Sequence, residues 1–584
     1  MLKADNSVSL GQYYLVISLI WVSIFILLAR YFQIQIISFD AYSKKARTNS
    51  IRKITTNAPR GLILDRNGEI LVDNNPTYVL TAIPGELSQK GEKFGLISNI
   101  IGLDSNRVSK NYKKYYRGKF IPTRLAKDLT FEQVSKLEEN KFDLKGIYYQ
   151  QFPERYFPSK IRASHILGYV KEVDRDIRNN LINKNKYELG DMVGWNGLEK
   201  KYEEFLRGTG GVHFYQFDAF GRETGKVIEL KPQQADPGQN IITTIDINIQ
   251  YEIEQLMRNK KGVIIVGYPE SGEILGAISA PDFRPNLFTG RMSEREWNDV
   301  LFHPDKPLIN RFNQGLYPPG SIVKMVTQSR LLETPTFDPE EQQNCNGSYQ
   351  FGDRLFRCWR ENGHGDVNLS SAIINSCDIY FYKTINYYDL DLLAKSFKMF
   401  GFGNSTGLDV LSESKGIVPS SKFMNERYGS FGWSKGAILN ICIGQGEILV
   451  TPIQVFNFVN LLATKGLAKV PHFVMVDYLP KNVSPILNLD NWTKISNDME
   501  NVIMHENGTG KSALPDIPGS RVFGKTGTAE NPHGKDHAWF IGWIQLEDQM
   551  FSVVILLENA GSGGAKAAPL ARKVFQSIYK NIQG

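Results

Sequence analysis

Two residues spaced by one helical turn could form an activated nucleophile. Ser321 and Lys324 make a Ser-x-x-Lys pattern directly after the sequence Tyr-Pro-Pro-Gly. A serine hydroxyl is a weak nucleophile unless a base lies within hydrogen-bond reach. Residues i and i+3 face the same side of a helix, so the Lys324 amine could be that base. The spacing therefore indicates acyl transfer through a serine.

Two further motifs follow downstream in the order that this chemistry requires. A Ser-Cys-Asp run begins at Ser376, and a Lys-Thr-Gly-Thr run begins at Lys525. Each motif alone is weak, because Ser-x-x-Lys occurs by chance on many surface helices. Together they resemble the trio of class A β-lactamases and penicillin-binding proteins, with Asp378 at the position where that trio has Asn.

Length and composition predict a folded protein of several domains. A chain of 584 residues exceeds what one core usually holds, so two or three domains are expected. The composition, 42% hydrophobic and 22% charged, is that of a globular protein. The net charge of +7 is spread along the chain, without a basic patch carrying interleaved aromatics. This pattern disfavours nucleic acid as a partner.

An apolar segment near the amino terminus predicts a membrane anchor. Residues 13–29 contain no charge, and apolar character resumes after Arg30 as far as Ile37. This length can cross a bilayer, and no small-residue cleavage site follows, which favours an uncleaved transmembrane helix over residues 13–37. A buried core helix is the alternative, although one of this length rarely lacks a polar face. Residues 1–12 would be the cytoplasmic amino terminus.

The charges that flank this segment conflict with the expected orientation. Lys3 and the terminal amine are nearly offset by Asp5. More basic residues follow the span, namely Arg30, Lys44, Lys45, Arg47, Arg52 and Lys53. The positive-inside rule alone would leave the bulk of the chain in the cytoplasm. Long domains translocate despite charge, and the resemblance to penicillin-binding proteins implies an extracytoplasmic substrate, so we expect the catalytic part outside the cytoplasm.

Two regions follow the anchor. Residues 38–240 are rich in charge, Asn and Gly, with strand-like runs at 61–65 and 78–82 and a helical pattern at 131–139. Nothing there forms a catalytic constellation, which predicts a non-catalytic α+β pedestal. In residues 241–584, two apolar runs flank Pro-Glu-Ser-Gly within 262–279 and predict an antiparallel hairpin.

The carboxyl-terminal part predicts the rest of a sheet. Strand patterns at 522–528, 538–544 and 551–557 precede a helical pattern at 565–582. Strands at both ends with helices between them predict one antiparallel sheet, with an insert that carries Ser321 and Ser376. The expected fold class is multidomain α+β, with a transmembrane helix, an α+β pedestal and an antiparallel sheet flanked by helices.

The motif order and the surrounding sequence resemble a class B penicillin-binding protein, and more closely the elongation-type penicillin-binding protein 2. The resemblance covers most of the chain. Sequences similar to the family's signatures stand at residues 59–68, 165–170, 197–208, 315–321, 444–446 and 451–452. It implies a pedestal or dimerisation domain over residues 38–240. It also implies a transpeptidase domain, like that of serine β-lactamases, over residues 241–584.

The resemblance implies roles in proton transfer. Ser321 would be the acylated nucleophile, Lys324 would take its proton, and Ser376 would relay protons to the leaving amine. The elongation-type subfamily resembles this chain in having Asp at position 378, so Asp378 supports that subfamily. An acid beside two lysines should stay ionised, and Asp378 would orient Lys324 or Lys525.

The resemblance also implies how the substrate is held. A cation and hydroxyls are natural partners of a carboxylate, so Lys525, Thr526 and Thr528 would hold the terminal carboxylate of the substrate, in the run that includes Gly527. Two backbone N–H groups, those of Ser321 and Thr528, would form the oxyanion hole.

The implied reaction is a D,D-transpeptidation that forms peptidoglycan cross-links. The serine would attack the peptide bond of a D-alanyl-D-alanine stem, release D-alanine and pass the acyl group to an amine on a neighbouring strand. β-Lactam antibiotics would acylate the same serine. The resemblance further implies the inner (cytoplasmic) membrane, a periplasmic catalytic domain, and a RodA-type glycosyltransferase partner within the elongation machinery.

Cysteines and a histidine near the middle motif suggest a metal site. Cys345, Cys358, His364 and Cys377 form a set that suits tetrahedral structural zinc. A disulfide between Cys345 and Cys358 is the alternative for an exported domain. Zinc also uses the other two residues, and members of the penicillin-binding protein 2 subfamily resemble this chain in holding zinc there. The metal would pin the loop of the middle motif, and no cofactor would enter the chemistry. Cys442 is expected to be a buried apolar thiol.

Three rival interpretations share parts of this pattern. A serine β-lactamase has the same motifs but hydrolyses its acyl-enzyme quickly, and the long anchored pedestal argues against it. A division-type transpeptidase would carry the same trio, and only the resemblance of the Cys/His insert favours elongation. A β-lactam sensor or scaffold that regulates a membrane glycosyltransferase would not need Ser321 to react.

Overall fold

The chain folds as two compact units. A computed structural model describes residues 10–40, 51–87, 90–119, 121–181, 183, 186–217, 223–227, 230–289, 293–475 and 487–583. The first unit comprises Met1–Ala58, Pro76–Phe152 and Thr209–Asp236, and the second comprises Pro59–Asn75, Pro153–Gly208 and Pro237–Gly584. The predicted boundary at residue 240 assigns Pro59–Asn75 and Pro153–Gly208 to the pedestal, whereas the structure packs both with the catalytic part.

A long apolar helix begins the described chain. It runs as an α-helix over Leu10–Phe32 and continues as a π-helical turn over Gln33–Ile37, with no buried residue. These 28 residues are long enough and apolar enough to cross a bilayer. The helix fits the predicted single-pass membrane anchor.

Three helices and several strands surround the core of the first unit. Helix Lys90–Ile101 contributes Phe94, Ile97 and Ile101, at the spacing of one helix face. The predicted helix at 131–139 is confirmed at Phe131–Glu139, where Thr130 starts it with a capping box. The other elements are Ser105–Tyr115, Ile51–Thr56, Thr123–Leu129, Gly211–Phe217, Glu223–Lys226 and parts of Ile70–Ala82 and Ile147–Tyr156.

A five-stranded antiparallel sheet organises the second unit. Its strand order is Ile274–Ala280, Gly262–Gly267, Gln549–Leu557, His537–Leu546 and Arg521–Ala529. Strands from the two ends of the domain pair directly, with Ile264 opposite Ile555. The predicted hairpin, the three predicted carboxyl-terminal strands and their union in one antiparallel sheet are therefore confirmed.

Alternate side chains of this sheet enter two separate cores. In the strand Gly262–Gly267, Val263 and Ile265 join the core that includes the helix Lys324–Leu332. Ile264 and Val266 join the core beneath the carboxyl-terminal helix Gly563–Gln583. Successive side chains of a strand point to opposite faces, so a sheet covered on both sides appears in sequence as a continuous apolar run.

The remaining elements of the second unit cover and connect the sheet. Its other helices and 3₁₀ turns are Ser164–Leu167, Arg175–Asn180, Gly197–Lys201, Glu203–Leu206, Ile247–Leu256, Asn286–Thr289, Glu294–Leu301, Gly320–Val323, Leu369–Ile374, Asp378–Lys383, Ile385–Tyr387, Leu390–Met399, Ser421–Tyr428, Gly436–Cys442, Pro452–Ala463, Leu489–Met504 and Lys511–Ala513. Its short strands are Ile63–Leu64, Val170–Glu172, Met192–Gly194, Ile241–Ile242, Gln343–Cys345, Ser348–Phe351, Arg354–Arg357 and Gly365–Val367.

Buried ion pairs hold the early segments within the second unit. Glu199 is fully buried and accepts hydrogen bonds from Arg60 at 2.6 Å and from Arg155 at 2.5 Å. A buried carboxylate is stable only when its partners replace water, so these arginines fix the segments that carry them. The predicted strand at 61–65 is shorter than expected, at Ile63–Leu64, where it pairs in parallel with Ile241–Ile242.

Candidate active site

Ser321 lies in a tight turn at the start of a buried helix. Residues Gly320–Val323 form a 3₁₀ turn, and the helix Lys324–Leu332 follows. Gly320 has a φ of +58°, and a Cβ atom there would lie 2.6 Å from the carbonyl oxygen of Thr528. Glycine is therefore required at this position. The turn brings Ser321, which is partly exposed, close to the strand that carries Thr528.

Lys324 is buried and points toward the middle motif. Its Nζ donates to Asp378 Oδ1 at 2.8 Å and to the Ser376 carbonyl oxygen at 2.8 Å, and it lies 3.3 Å from Ser376 Oγ. Among the described residues, no hydrogen bond involves the Ser321 hydroxyl. The bond between a nucleophile and its base often tightens only when substrate binds, so this geometry is compatible with Lys324 as the base.

Ser376 bridges two lysines. It lies in the turn between the helices Leu369–Ile374 and Asp378–Lys383. Its φ of +55° falls in the left-handed region, which is uncommon for residues other than glycine and costs backbone strain. Its Oγ lies 2.9 Å from Lys525 Nζ and 3.3 Å from Lys324 Nζ. A proton could therefore pass along this row of three groups.

Lys525 reaches Ser376 from the strand Arg521–Ala529. Its side chain is fully buried, and its Nζ also donates to the Thr526 carbonyl oxygen at 3.0 Å. Burial, together with the charge of Lys324, holds the pKa of Lys525 well below its usual value, although the charge of Asp378 opposes this shift. Lys525 therefore loses its proton at a lower pH than an exposed lysine does.

Asp378 contacts Lys324, the first of the two lysines that it was predicted to orient. Burial raises the pKa of Asp378 even though the charge of Lys324 favours the ionised form. The sequence-based expectation of an ionised acid considered the neighbouring charges and not burial. The other carboxylate oxygen of Asp378 accepts a hydrogen bond from the Trp359 backbone N–H at 3.3 Å.

The predicted substrate-binding residues line a single cleft of about 520 Å³. Ser321 and Ser376 open into it beside Thr526, Gly527 and Thr528, while Lys324 and Lys525 are buried nearby. A Cβ atom on Gly527 would lie 2.7 Å from the Ile322 side chain, so a glycine lets this strand approach the turn that carries Ser321. The predicted catalytic and substrate-binding residues therefore lie together.

Other residues of the cleft were not among the predicted site residues. Gln445 donates to the Thr528 carbonyl oxygen at 3.1 Å, and Thr509 accepts from the Thr526 hydroxyl at 2.8 Å. Gln445 lies in a Gly-Gln-Gly run that could have marked it, whereas Thr509 carries no local signal. The cleft also includes Arg357, Trp359, Tyr382, Ile443, Glu530 and Asp536.

The predicted metal ligands converge beside this cleft. The ligand atoms of Cys345, Cys358, His364 and Cys377 lie within 4.8 Å of one another. His364 Nδ1 is 3.6 Å from the Sγ atoms of both Cys345 and Cys358. A tetrahedral site with ordinary Zn–S and Zn–N bonds has S···N edges of roughly 3.6 Å. All four cysteines are free thiols, so the alternative Cys345–Cys358 disulfide is not formed.

Trp359 links this Cys/His cluster to the turn that carries Ser376. It follows Cys358, whose Sγ accepts a hydrogen bond from the Asp378 backbone N–H at 3.5 Å. The Trp359 indole Nε1 donates to the Ser376 carbonyl oxygen at 3.1 Å. Two hydrogen bonds therefore connect the cluster to the turn that carries Ser376.

Two family models match the chain. The penicillin-binding protein dimerisation domain matches residues 55–243. The penicillin-binding protein transpeptidase domain matches residues 262–576 and so contains all the predicted site residues. The dimerisation model includes Pro59–Asn75 and Pro153–Gly208, which pack within the second structural unit.

The chain is also similar to proteins of known name or structure. The peptidoglycan D,D-transpeptidase MrdA of Haemophilus influenzae is 32% identical, over 94% of this chain and 88% of the relative. Penicillin-binding protein 2 of Helicobacter pylori, in complex with MreC, has a TM-score of 0.82 at 30% identity, over 91% of this chain and 99% of that chain. A chain from a peptidoglycan synthase complex that coordinates polymerisation and cross-linking has a TM-score of 0.73 at 27% identity, over 98% and 99% of the two chains.

Proposed function

The chain belongs to the penicillin-binding proteins that combine a dimerisation domain with a transpeptidase domain, and from this membership we propose that it is a peptidoglycan D,D-transpeptidase of the elongation type. The observation that carries the proposal is the convergence of Ser321, Lys324, Ser376 and Lys525 on one cleft. These are the nucleophile, base, relay and carboxylate partner that serine acyl transfer needs.

The first half of the reaction is acylation. A donor stem peptide lies along the strand Arg521–Ala529, with its terminal carboxylate held by Lys525 and by the hydroxyls of Thr526 and Thr528. Ser321 Oγ attacks the carbonyl carbon of the D-alanyl-D-alanine bond, and Lys324 in its neutral form takes the hydroxyl proton. The backbone N–H groups of Ser321 and Thr528 stabilise the oxyanion.

Loss of the leaving group completes acylation, and transfer of the acyl group follows. Collapse of the tetrahedral intermediate breaks the C–N bond, and a proton that passes through Ser376 converts the leaving nitrogen to the amine of free D-alanine. An amine of a neighbouring strand then attacks the ester. Its nitrogen forms the new amide bond and loses a proton, while Ser321 Oγ regains one. β-Lactam antibiotics acylate the same oxygen and block the cleft.

Covalent labelling tests this assignment. The purified full-length protein is incubated with labelled penicillin, digested and mapped by mass spectrometry. The label is expected on the peptide that contains Ser321, with a lifetime of minutes to hours, and a stem-peptide donor should yield D-alanine and a cross-linked product. Labelling of another residue would refute the assignment of the nucleophile. Release of the adduct within seconds, without cross-linking, would indicate a β-lactamase.

Membrane attachment fits an elongation role. The helix Leu10–Ile37 is long and apolar enough to cross a bilayer. In the proposed arrangement it anchors the chain in the inner membrane, with the catalytic domain in the periplasm, where the stem peptides lie. A RodA-type glycosyltransferase of the elongation machinery would supply the strands, because the motifs of this chain account only for cross-linking. The similar chain from a synthase complex that coordinates polymerisation and cross-linking supports such a partner.

Acylation is expected to fall at alkaline pH as Lys525 loses its charge. The pKa of Lys525 is held below its usual value. The second-order rate constant for acylation should therefore begin to fall at a pH lower than the usual pKa of a lysine. Lys525→Arg, which stays charged, should move this decline to higher pH. Stopped-flow labelling across pH measures both profiles, and an unchanged midpoint in the arginine variant would contradict the role of Lys525.

The lowered pKa of Lys525 also determines how this residue makes the free energy of unfolding depend on pH. Between the lowered pKa of folded Lys525 and the usual lysine pKa, the unfolded chain binds more protons than the folded one. The contribution of Lys525 to the free energy of unfolding therefore increases as the pH rises through that window. Below the window, the burial penalty for the charged amine applies in full.

The Cys/His cluster is proposed to hold one structural zinc ion. Three thiolates and the His364 imidazole are a typical structural donor set, and their spacing fits tetrahedral coordination. When bound, the metal supplies only a cross-link. The hydrogen bonds of Cys358 and Trp359 then fix the turn that carries Ser376 and Asp378.

Metal analysis tests the zinc proposal. The purified protein should contain about one equivalent of zinc. Cys345→Ser should lose the metal and unfold several degrees lower, because metal binding contributes to folding. Cys442→Ser, which changes a buried thiol outside the cluster, should keep the metal. Zinc content measured by mass spectrometry decides, and a metal-free wild type whose stability does not respond to added zinc would exclude the site.

A further inference from the structure

Glu558 is a largely buried carboxylate with no role in the mechanism above. It follows the strand Gln549–Leu557, and 11% of its side chain is exposed. Its Oε1 accepts hydrogen bonds from the Tyr317 hydroxyl at 2.6 Å and from Arg311 Nε at 2.9 Å. Its Oε2 lies 3.2 Å from Lys261 Nζ. A largely buried acid with three partners on two segments, Lys261 on one and Arg311 and Tyr317 on the other, is held in one orientation.

The charge states at this cluster are also fixed. Burial opposes ionisation of Glu558, but the Tyr317 hydrogen bond and the charges of Arg311 and Lys261 outweigh it and lower the pKa of Glu558. Burial and the charge of Glu558 raise the pKa of Tyr317 far above its usual value. The Tyr317 hydroxyl therefore stays protonated and keeps donating to the carboxylate.

Tyr317 begins the loop that carries Ser321. Its backbone N–H donates to the Val450 carbonyl oxygen at 3.0 Å and its carbonyl accepts from the Val450 N–H at 2.9 Å. The next carbonyl, that of Pro318, accepts from Trp539 Nε1 at 3.1 Å. The Tyr317 ring also packs edge-on against the Trp539 ring, with centroids 6.2 Å apart. The loop is therefore anchored by its main chain and by the Tyr317 side chain.

The Ser321 hydroxyl makes no hydrogen bond to any described residue. Because no such bond holds the oxygen, its position depends on the loop that carries Ser321. We infer that Glu558 is a positioning residue for acylation, which fixes the Tyr317 hydroxyl and thereby holds the loop so that Ser321 Oγ faces the substrate carbonyl and Lys324. Glu558 acts through Tyr317 and not on the reacting atoms. The inference rests on the proposed role of Ser321 as the nucleophile.

Two variants test this inference. Tyr317→Phe removes one hydroxyl and keeps the ring, and Glu558→Gln removes the charge and keeps the shape. Since small misplacement of a nucleophile costs rate, the acylation rate constant for penicillin should fall about tenfold in Tyr317→Phe, with the non-covalent Kd changed by less than about twofold. The rate constant should fall by a smaller factor in Glu558→Gln, because the amide oxygen still accepts from the Tyr317 hydroxyl but carries no charge. The double variant should fall no further than Tyr317→Phe alone, because both changes act through one hydrogen bond.

Measuring the acylation rate constant and the non-covalent Kd separately distinguishes a misplaced nucleophile from a loss of folded protein. A lower folded fraction would reduce the number of labelled sites and leave both constants unchanged. Tyr148→Phe is the matched control, because it removes a Tyr–Glu hydrogen bond of 2.8 Å to Glu86 in the first unit. Glu500→Gln is the second control, since it removes a carboxylate paired with Arg521 at the surface. Both controls should acylate at the wild-type rate.

Three outcomes would count against the inference or its basis. Acylation rate constants within twofold of wild type in both Tyr317→Phe and Glu558→Gln would overturn it, as would a raised Kd at an unchanged rate constant. If Glu558→Gln does not fold, Tyr317→Phe alone decides. A wild-type protein that is not labelled at Ser321 would refute the proposed function instead, and that result is read before any variant is compared.

Discussion

A Ser321→Ala protein is expected to form no covalent adduct with labelled penicillin while it unfolds at nearly the wild-type temperature. The substitution removes the only oxygen to which the acyl group can attach in the proposed mechanism, and loss of a serine nucleophile typically costs about a millionfold in rate. Stability should change by less than about 0.5 kcal/mol, because the side chain is partly exposed and makes no hydrogen bond with any described residue.

Gel fluorescence after labelling and a thermal melt check the two halves of this expectation. Ser562→Ala, which removes another hydroxyl from the same cleft, is the control that should stay labelled. Residual stoichiometric labelling of Ser321→Ala would place the nucleophile elsewhere. Full replacement of the wild type by Ser321→Ala in a growing cell would favour the sensor or scaffold interpretation.

Replacement of Lys324 is expected to damage both activity and stability. Lys324→Met removes the base, for which we expect a loss of acylation of at least about a thousandfold. It also leaves the buried Asp378 carboxylate without the lysine Nζ that lies 2.8 Å away in the wild-type protein. An uncompensated buried charge costs about 3–5 kcal/mol, or less where the acid becomes protonated.

A second substitution separates these two effects. Lys324→Met combined with Asp378→Leu removes both charges, so the free energy of unfolding should recover while acylation stays absent. Lys494→Met breaks an exposed pair with Glu340 of 3.3 Å and should cost less than about 1 kcal/mol. Chemical denaturation and penicillin labelling measure the two properties, and an active Lys324→Met protein would exclude Lys324 as the base.

Local patterns predicted the elements of the sheet well. The strand Gly262–Gly267 is buried on both faces, and such a strand appears as an uninterrupted apolar run. The helix Phe131–Glu139 was equally clear, because Thr130 and Gln133 mark its start. In these segments, the local preference and the tertiary environment favour the same structure.

Elsewhere the tertiary environment outweighed local preference. The strand Ile70–Ala82 passes through an Asp-Asn-Asn-Pro sequence that favours a turn, so only its second half was predicted. Asn74 instead donates through its side chain to the Arg60 carbonyl oxygen at 2.7 Å. The assignment of Pro59–Asn75 to the second unit depends on such distant partners, which no local pattern contains.

In the candidate site, too, some features could be predicted from local sequence and others depend on the tertiary structure. Spacing alone relates Ser321 to Lys324, but it does not bring Ser376 or Lys525 near them, and that expectation came from the family resemblance. The direction of the Asp378 pKa required the degree of burial, which the sequence does not provide. Thr509 lies in the cleft and accepts a hydrogen bond from Thr526, and no sequence pattern around either residue predicts this contact.

The pairing of Gly262–Gly267 with Gln549–Leu557 has a consequence for biosynthesis. At about 5–20 residues per second, the ribosome needs roughly fifteen seconds to a minute after making the first strand before it makes the second. During that interval the nascent domain lacks the middle of its sheet. The strand that carries Lys525 also emerges before its neighbour His537–Leu546, so the reactive centre cannot assemble until that neighbour has been made.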